Sequence, residues 1–445
     1  MKHTKTFSAI ALAVAGALTA GAAGATNGYF SHGYGMKAKG MAGASTAMAT
    51  DTFGGASNPA KMVWVGDRID FGVDLFSPRR SSERTGVSGF GTGMNGSADS
   101  DSNYFLIPEF GYNKMINPNL SLGVTVYGNG GMNTDYPGGQ IGAATACAGF
   151  NASGPAGAPY NLLCGSGRLN MDMMQLIVAP TAAYKISPDH SVGISPLLAY
   201  QRFKMDGLQG FVGYTSSGTT NFLTNKGYDS STGVGVRLGW MGKLSDRVTA
   251  GAAYSPKLKM GKFDKYRELF ANQGLMDIPE NYNLGLAFKA TPQVTVALDY
   301  QRINYSGVAS VNNPSTNFGA TIGSTLGVAG GRGFGWDDVN VVKIGVEYAY
   351  SQSLTLRAGL NHGDNPIQAR DVTFNIIAPG VVQDHLTLGF THKTKSGGEL
   401  TFAYMHAFTK SVTGASLFNT WVPGTGNETI KMYQNSYGIA YGWKM

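Results

Sequence analysis

Residues 430–445 read IKMYQNSYGIAYGWKM, and the alternation in this stretch decides the fold. Tyr433, Tyr437, Ile439, Tyr441, Trp443 and Met445 fall on one side of an extended chain. Gln434, Ser436, Gly438, Ala440, Gly442 and Lys444 fall on the other. A period of two marks a strand that separates two environments. Aromatic and branched residues on one face, with small and polar residues opposite, suit a wall that has lipid outside and a lumen inside. The pattern recurs upstream. Leu400, Phe402, Tyr404 and Phe408 oppose Thr401, Ala403 and Ala407, while Val294, Val296, Leu298 and Tyr300 oppose Thr295, Ala297, Asp299 and Gln301. Val342, Ile344, Val346, Tyr348 and Tyr350 oppose Lys343, Gly345, Glu347 and Ala349.

Fourteen such segments lie near 68–77, 103–113, 119–129, 171–186, 191–206, 232–243, 248–260, 280–290, 294–305, 338–350, 354–362, 382–394, 399–410 and 430–445. Six short turns, such as Asn117-Pro118-Asn119 and Thr291-Pro292-Gln293, alternate with seven long connections. That arrangement puts both chain ends on the short-turn side, as in barrels with short periplasmic turns and long external loops. An even strand number closes such a ring without an edge. The expected fold is therefore all-β, a transmembrane antiparallel barrel of about 14 strands over 68–445. A water-soluble sandwich shares the alternation but not the regular long-short connections.

Work outward to the N-terminus gives a leader. Lys2 and Lys5 precede the apolar run Phe7 to Leu18, and Ala23-Gly24-Ala25 offers small residues for cleavage. Residues 1–25 thus read as a secretory signal peptide. Removing it lowers the formal charge from +7 to +5, with no clustered basic patch to suggest a nucleic acid. Beyond it no run of eighteen apolar residues is available for a membrane helix. Glycine is 64 of 445 residues and charged residues are 14%, well below the roughly 25% of soluble domains. Cys147 and Cys164 are the two cysteines. In an oxidising compartment such a pair is a candidate disulfide.

Residues 26–67 lack alternation and are rich in glycine and alanine. They are either a periplasmic tail or a plug, since fourteen strands enclose more space than side chains fill. Inward charges that could hold a plug are Asp70, Asp74, Glu109, Lys185, Arg237, Asp299, Lys343, Glu347 and Arg357; the alternative is that they line water or pair with each other. Catalytic patterns are missing. No GxSxG elbow occurs. His3, His32, His190, His362, His385, His392 and His406 have no metal-ligand spacing with either cysteine, so no metal or cofactor is expected. Asn361-His362-Gly363-Asp364 begins an external loop and reads as solvated.

Three stretches carry a resemblance. GMAGASTAMATD at 40–51 followed by Asn58-Pro59-Ala60, then MDMMQLIVAPTAAYKI at 171–186, then FNIIAPGVVQDHLTLGF at 374–390, together resemble the FadL/TodX family of outer-membrane transporters. The chain departs from the common barrel ending in Phe or Trp, closing on Trp443-Lys444-Met445. The resemblance implies an N-terminal hatch over 26–67 with Asn58, Pro59 and Ala60 as its motif. It also implies a lumenal apolar site, a kink in the third strand and sideways exit through the wall. Gly128, Gly130 and Gly131 are the candidate kink, because glycine permits the bend that breaks a ladder; a plain glycine-rich loop start is the other reading. Asn58-Pro59-Ala60 is expected to pack against that kink. Expected partners are hydrophobic small molecules such as fatty acids or hydrocarbons, lipopolysaccharide and outer-membrane lipid, and the barrel-assembly machinery, with a monomeric state. The rival readings are a general polar porin and an outer-membrane lipase.

Overall fold

The computed structural model describes residues 27–142, 147, 149–150, 159–317 and 326–445. The leader assigned to residues 1–25 lies outside them. Fourteen long strands make the barrel: β1 Arg68–Thr85, β2 Phe105–Asn117, β3 Leu120–Tyr136, β4 Leu169–Lys185, β5 His190–Asp206, β6 Asp229–Lys243, β7 Val248–Ser255, β8 Asn281–Lys289, β9 Val294–Ile303, β10 Val339–Ala349, β11 Leu354–Gly363, β12 Asp384–Lys393, β13 Gly398–Ala415 and β14 Asn427–Lys444. Each pairs antiparallel with its sequence neighbours, and β1 closes on β14 from Arg68↔Lys444 to Thr85↔Asn427. Gly96–Asp99 adds to β1, and Lys259–Met260 adds to β6. Among the described residues no helix is long and apolar enough to cross a membrane.

The two faces follow the alternation. Ile439, Leu298, Val342 and Leu388 point outward and stay exposed, while Gln434, Ser436 and Asp299 are buried inside. Several strands outrun their expected ends. β1 continues to Thr85 because its ladder with β14 persists, although the outward residues Arg79, Ser81 and Glu83 are polar. Above the lipid that face meets water, so the apolar alternation stops where the hydrogen-bonded ladder does not.

Residues 27–67 form one-turn helices at Met36–Lys39, Gly54–Ser57 and Met62–Val65, with a tighter turn at Pro59–Lys61. Their hydrogen bonds reach β1, β2, β3, β5, β6, β9, β10, β12 and β13, strands right round the ring. On the long-connection side, buried rings and aliphatic chains from several loops merge into one cluster. Tyr29, Phe30, Phe203, Tyr266, Trp336 and Ile376 belong to it.

Candidate functional site

Seven of the nine inward charges touch residues 27–67. Lys39 Nζ lies 2.9 Å from Asp74 and 2.6 Å from Glu109. Burial opposes the Lys39 charge, but these two carboxylates outweigh it and hold the ammonium above the ordinary lysine range. Asp299 Oδ2 accepts from Ser45 N, Thr46 N and Thr46 Oγ1 at 2.9, 2.9 and 2.7 Å. Asp70 accepts from Thr52, Lys343 donates to the His32 carbonyl, and Arg237 to the Ala56 carbonyl. Lys185 stands 4.5 Å over the Trp64 ring. Glu347 and Arg357 pair with each other instead. Sequence reading missed Glu399 and Arg68. Glu399 binds both Lys37, at 2.6 Å, and Arg68, at 2.8 Å.

The Asn58-Pro59-Ala60 motif does not sit at the third strand. Asn58 Oδ1 accepts from Ala60 N, and its Nδ2 donates 2.9 Å bonds to Thr46 O and Trp240 O. Ser191 Oγ donates to Ala60 O. The motif therefore lies against β5 and β6, which corrects the expectation that it packs on the kink. The cause is room. A Cβ on Gly193 of β5 would strike the Pro59 and Ala60 backbone, and one on Gly239 of β6 would strike Asn58 and the Pro59 ring.

The third strand does break. Pairing of β3 with β4 shifts register between Gly128 and Gly130, leaving Asn129 as the extra residue of a bulge. The bulge also reverses the parity of the inward face, from Thr125 and Tyr127 to Met132 and Thr134. β2 and β3 pair only from Asn117↔Leu120 to Phe110↔Val126. Past that point β2 keeps its ladder with β1 and β3 its ladder with β4, while Asp101 N donates to Asp135 O and Asp135 N to Ser100 Oγ. The opened edge of β3 is taken by a tight turn, Asn27–Phe30. Gly131 N donates to Tyr29 O and Ser31 N to Asn129 O, both at 3.2 Å, and Phe30 bridges Gly130. Gly130 is required there, since a Cβ would collide with the Tyr29 carbonyl. The turn itself rests on Tyr305, whose hydroxyl donates to Asn27 O at 2.7 Å and accepts from Tyr29 N at 3.1 Å.

Two apolar cavities lie on this side of the barrel, and the first touches the turn at Gly28. One, between β1, β3 and the 378–380 loop, is lined by Gly28, Phe76, Arg80, Met132, Trp336 and Pro379. The other lies among the loops, against Met171, Phe203, Phe211, Phe270, Phe374 and Arg332. Its free volume is about 30 Å³. A cavity needs on the order of 150 Å³ to take benzene, so this one is too small for such a molecule unless side chains shift, which methionine and leucine do readily. Arg332 is 1% exposed, donates to Ser315 O at 2.5 Å and stacks 5.0 Å from Tyr214. Burial lowers its basicity. Its position in a loop gave no sequence signal.

Cys147 and Cys164 are joined by a disulfide with Cα atoms 5.1 Å apart. His32 stacks on His385 at 6.3 Å. Burial, with His385, Lys39 and Lys343 adding to it, holds the His32 imidazole well below its usual value. No group of three metal-ligating residues occurs among the described residues.

Solved structures share this architecture. TodX of Pseudomonas putida, a toluene transporter, is 17% identical, with a TM-score of 0.65 over 93% of this chain and 99% of that one. TbuX of Ralstonia pickettii, also a toluene transporter, is 18% identical, with a TM-score of 0.59 over 93% and 99%. A FadL homologue of Pseudomonas aeruginosa is 12% identical, with a TM-score of 0.63 over 94% and 99%. No curated protein matches the chain in sequence. The family described as outer membrane protein transport protein (OMPP1/FadL/TodX) matches residues 165–440, more than half of the chain. With that match and a closed barrel of the same architecture, the chain belongs to the OMPP1/FadL/TodX family of outer-membrane transport proteins.

Proposed function

We propose that this chain is a passive channel for hydrophobic molecules, with residues 26–67 as its hatch and the β2–β3 break as a sideways exit. The observation that carries this reading is the break itself. Two strand edges part above Phe110 and Val126, and the edge of β3 is covered at Asn129–Gly131 by Asn27–Ser31, beside an apolar cavity, and at Asp135 by Ser100 and Asp101. An apolar guest moves from loop cavity to wall cavity to lipid by keeping its surface out of water at each step. A concentration gradient suffices. The gating element in this reading is the Asn27–Phe30 turn, and Asn58-Pro59-Ala60 is the rigid seat that anchors the hatch on β5 and β6.

The rival readings are weaker. A polar porin does not call for a lumen filled by a bonded segment. A lipase reading has no support from the family, which is one of transport proteins. The channel works as a monomer in lipopolysaccharide and outer-membrane lipid, placed there by the barrel-assembly machinery.

Arg332 favours a second, narrower reading. It is the charged residue in the loop cavity, and arginine is suited to a carboxylate. Fatty acids then join neutral hydrocarbons as substrates. Uptake of labelled oleate and labelled toluene, by a host lacking its own transporter, tests both readings. Neither compound entering faster with the protein would end the channel reading. Equal oleate uptake by wild type and Arg332→Met would end the carboxylate role.

A further inference from the structure

The lumen wall carries a strip of neutral hydrogen-bonding side chains that the path above leaves unused. Gln175 of β4 lies directly opposite Gln201 of β5, and both are fully buried. Alternation puts them on the inward face with Met173, Ile177, Ala199 and Phe203. Asn129, the bulged residue of β3, donates Nδ2 to Gln175 Oε1 at 2.9 Å and accepts from Tyr34 Oη at 3.2 Å. Further capacity is unmet. Gln175 Nε2 and both Gln201 amide atoms have no hydrogen-bond partner among the described residues. The Tyr29 hydroxyl adjoins Gln175 on this strip, within reach of a hydrogen bond to it.

Buried polar groups are hydrogen-bonded as a rule, and an orphaned one is costly. Two facing glutamines with unmet capacity, 0% exposed and walled by methionine and phenylalanine, therefore point to a guest. Their position fits a route. Phe203, which lines the loop cavity, is the next inward residue after Gln201, and Tyr29 belongs to the turn on the β3 edge.

We propose that Tyr29, Gln175 and Gln201 form a subsite for a neutral hydroxyl group on an otherwise apolar molecule, a phenol or an alcohol. A hydroxyl donates one hydrogen bond and accepts two. It gives its proton to Gln201 Oε1 and accepts from the Gln175 and Gln201 Nε2 groups. A hydrocarbon offers neither function. A carboxylate offers acceptors alone and sets its charge against Gln201 Oε1. A site built to bond a hydroxyl discriminates strongly against the analogue that lacks it, because its own groups are then left unpaired. The role in uptake rests on the channel reading above; the binding does not.

The test compares p-cresol with toluene, which differ by one hydroxyl. Equilibrium dialysis of the purified full-length protein measures both, with protein-free micelles as the blank. Wild type favours p-cresol by about tenfold. Gln201→Met keeps the volume and removes both amide functions. It lowers the p-cresol-to-toluene ratio by about tenfold and raises the melting temperature of the unliganded barrel, a pair of effects that a purely structural glutamine does not produce. A wild-type ratio near one, or a ratio unchanged in the variant, overturns the subsite. If Gln201→Met loses heat-modifiable migration on gels, Gln175→Met is measured in its place, with the same two outcomes. Cell uptake of the pair is read separately. If neither compound enters faster than in cells without the protein, the channel reading fails, and the dialysis still decides the subsite.

Discussion

Replacing Lys39 with methionine should loosen the segment inside the barrel by a calculable amount. The ammonium is 4% exposed and bridges Asp74, 4% exposed, and Glu109, 2% exposed. Removing one member of a buried ion group costs about 3–5 kcal/mol, because the others are left charged and unpaired. That shifts the balance between seated and released states by roughly a hundredfold to several thousandfold. Release stays local, since Asp299 still holds Ser45 and Thr46 by three bonds, and Asn58 still holds β6. Hydrogen exchange of peptides covering 33–43 reads the effect, and so does small-ion conductance in a planar bilayer. Protection in this stretch should fall at least tenfold and conductance should rise. The triple variant Lys39→Met, Asp74→Asn, Glu109→Gln should recover most of the protection, because replacing a whole ion group is close to neutral. Wild-type exchange in the single variant refutes the reasoning. So does a triple variant no better than the single one. In the wild type, Lys39 contributes fully below the ordinary lysine pKa of about 10.4 and is lost only as pH rises through its raised value.

Further outcomes are open to measurement. Deleting residues 26–67 should give a leaky pore in a planar bilayer, and unchanged conductance would remove the hatch from the account. Gly130→Val should push the Tyr29 carbonyl off the β3 edge, so a cysteine at Ser31 becomes reactive to maleimide in the folded barrel; a protected cysteine there contradicts the seat described for the turn. His32, held well below 6.5, stays neutral in the folded chain while the unfolded chain takes up a proton. Stability should therefore fall as pH drops below about 6.5, and His32→Gln should flatten that part of a melting-temperature profile. Reduction of Cys147–Cys164, seventeen residues apart, should cost about 3 kcal/mol or less and leave the barrel folded. Maleimide labelling of both cysteines in unreduced protein would contradict the bond.

The barrel was legible because lipid and lumen impose opposite demands on alternate residues. The run Tyr433 to Met445 and the run Val342 to Tyr350 state this without any partner. Inward charges such as Asp299 and Lys343 were legible for the same reason, since a charge has no place on the lipid face. Other features need register, which a single strand does not carry. Gln175 faces Gln201 only because β4 and β5 pair with that offset. The seat of Pro59 depends on Gly193 and Gly239, two glycines 46 positions apart that neighbouring strands bring together. A register break falls between Gly128 and Gly130, and which segment covers it was beyond sequence reading. Asn27–Phe30 has no motif, and its contacts are mostly through its own backbone.

The seam between β1 and β14 imposes an order of events in time. Its eighteen residue pairs join the first strand of the wall to the last, across nearly the whole length of the chain. Contacts so distant in sequence are slow to form, so the ring is completed late. Residues 27–67 precede β1 and end up enclosed by the strands that follow. The seating is simplest if they are gathered in the concave side of the growing sheet when β14 arrives, since the later route is through an open end of the lumen. A mutation that slows the compaction of this segment would then act during biogenesis. Closed barrels with an unseated segment would accumulate until it entered from the end of the lumen where β1 begins.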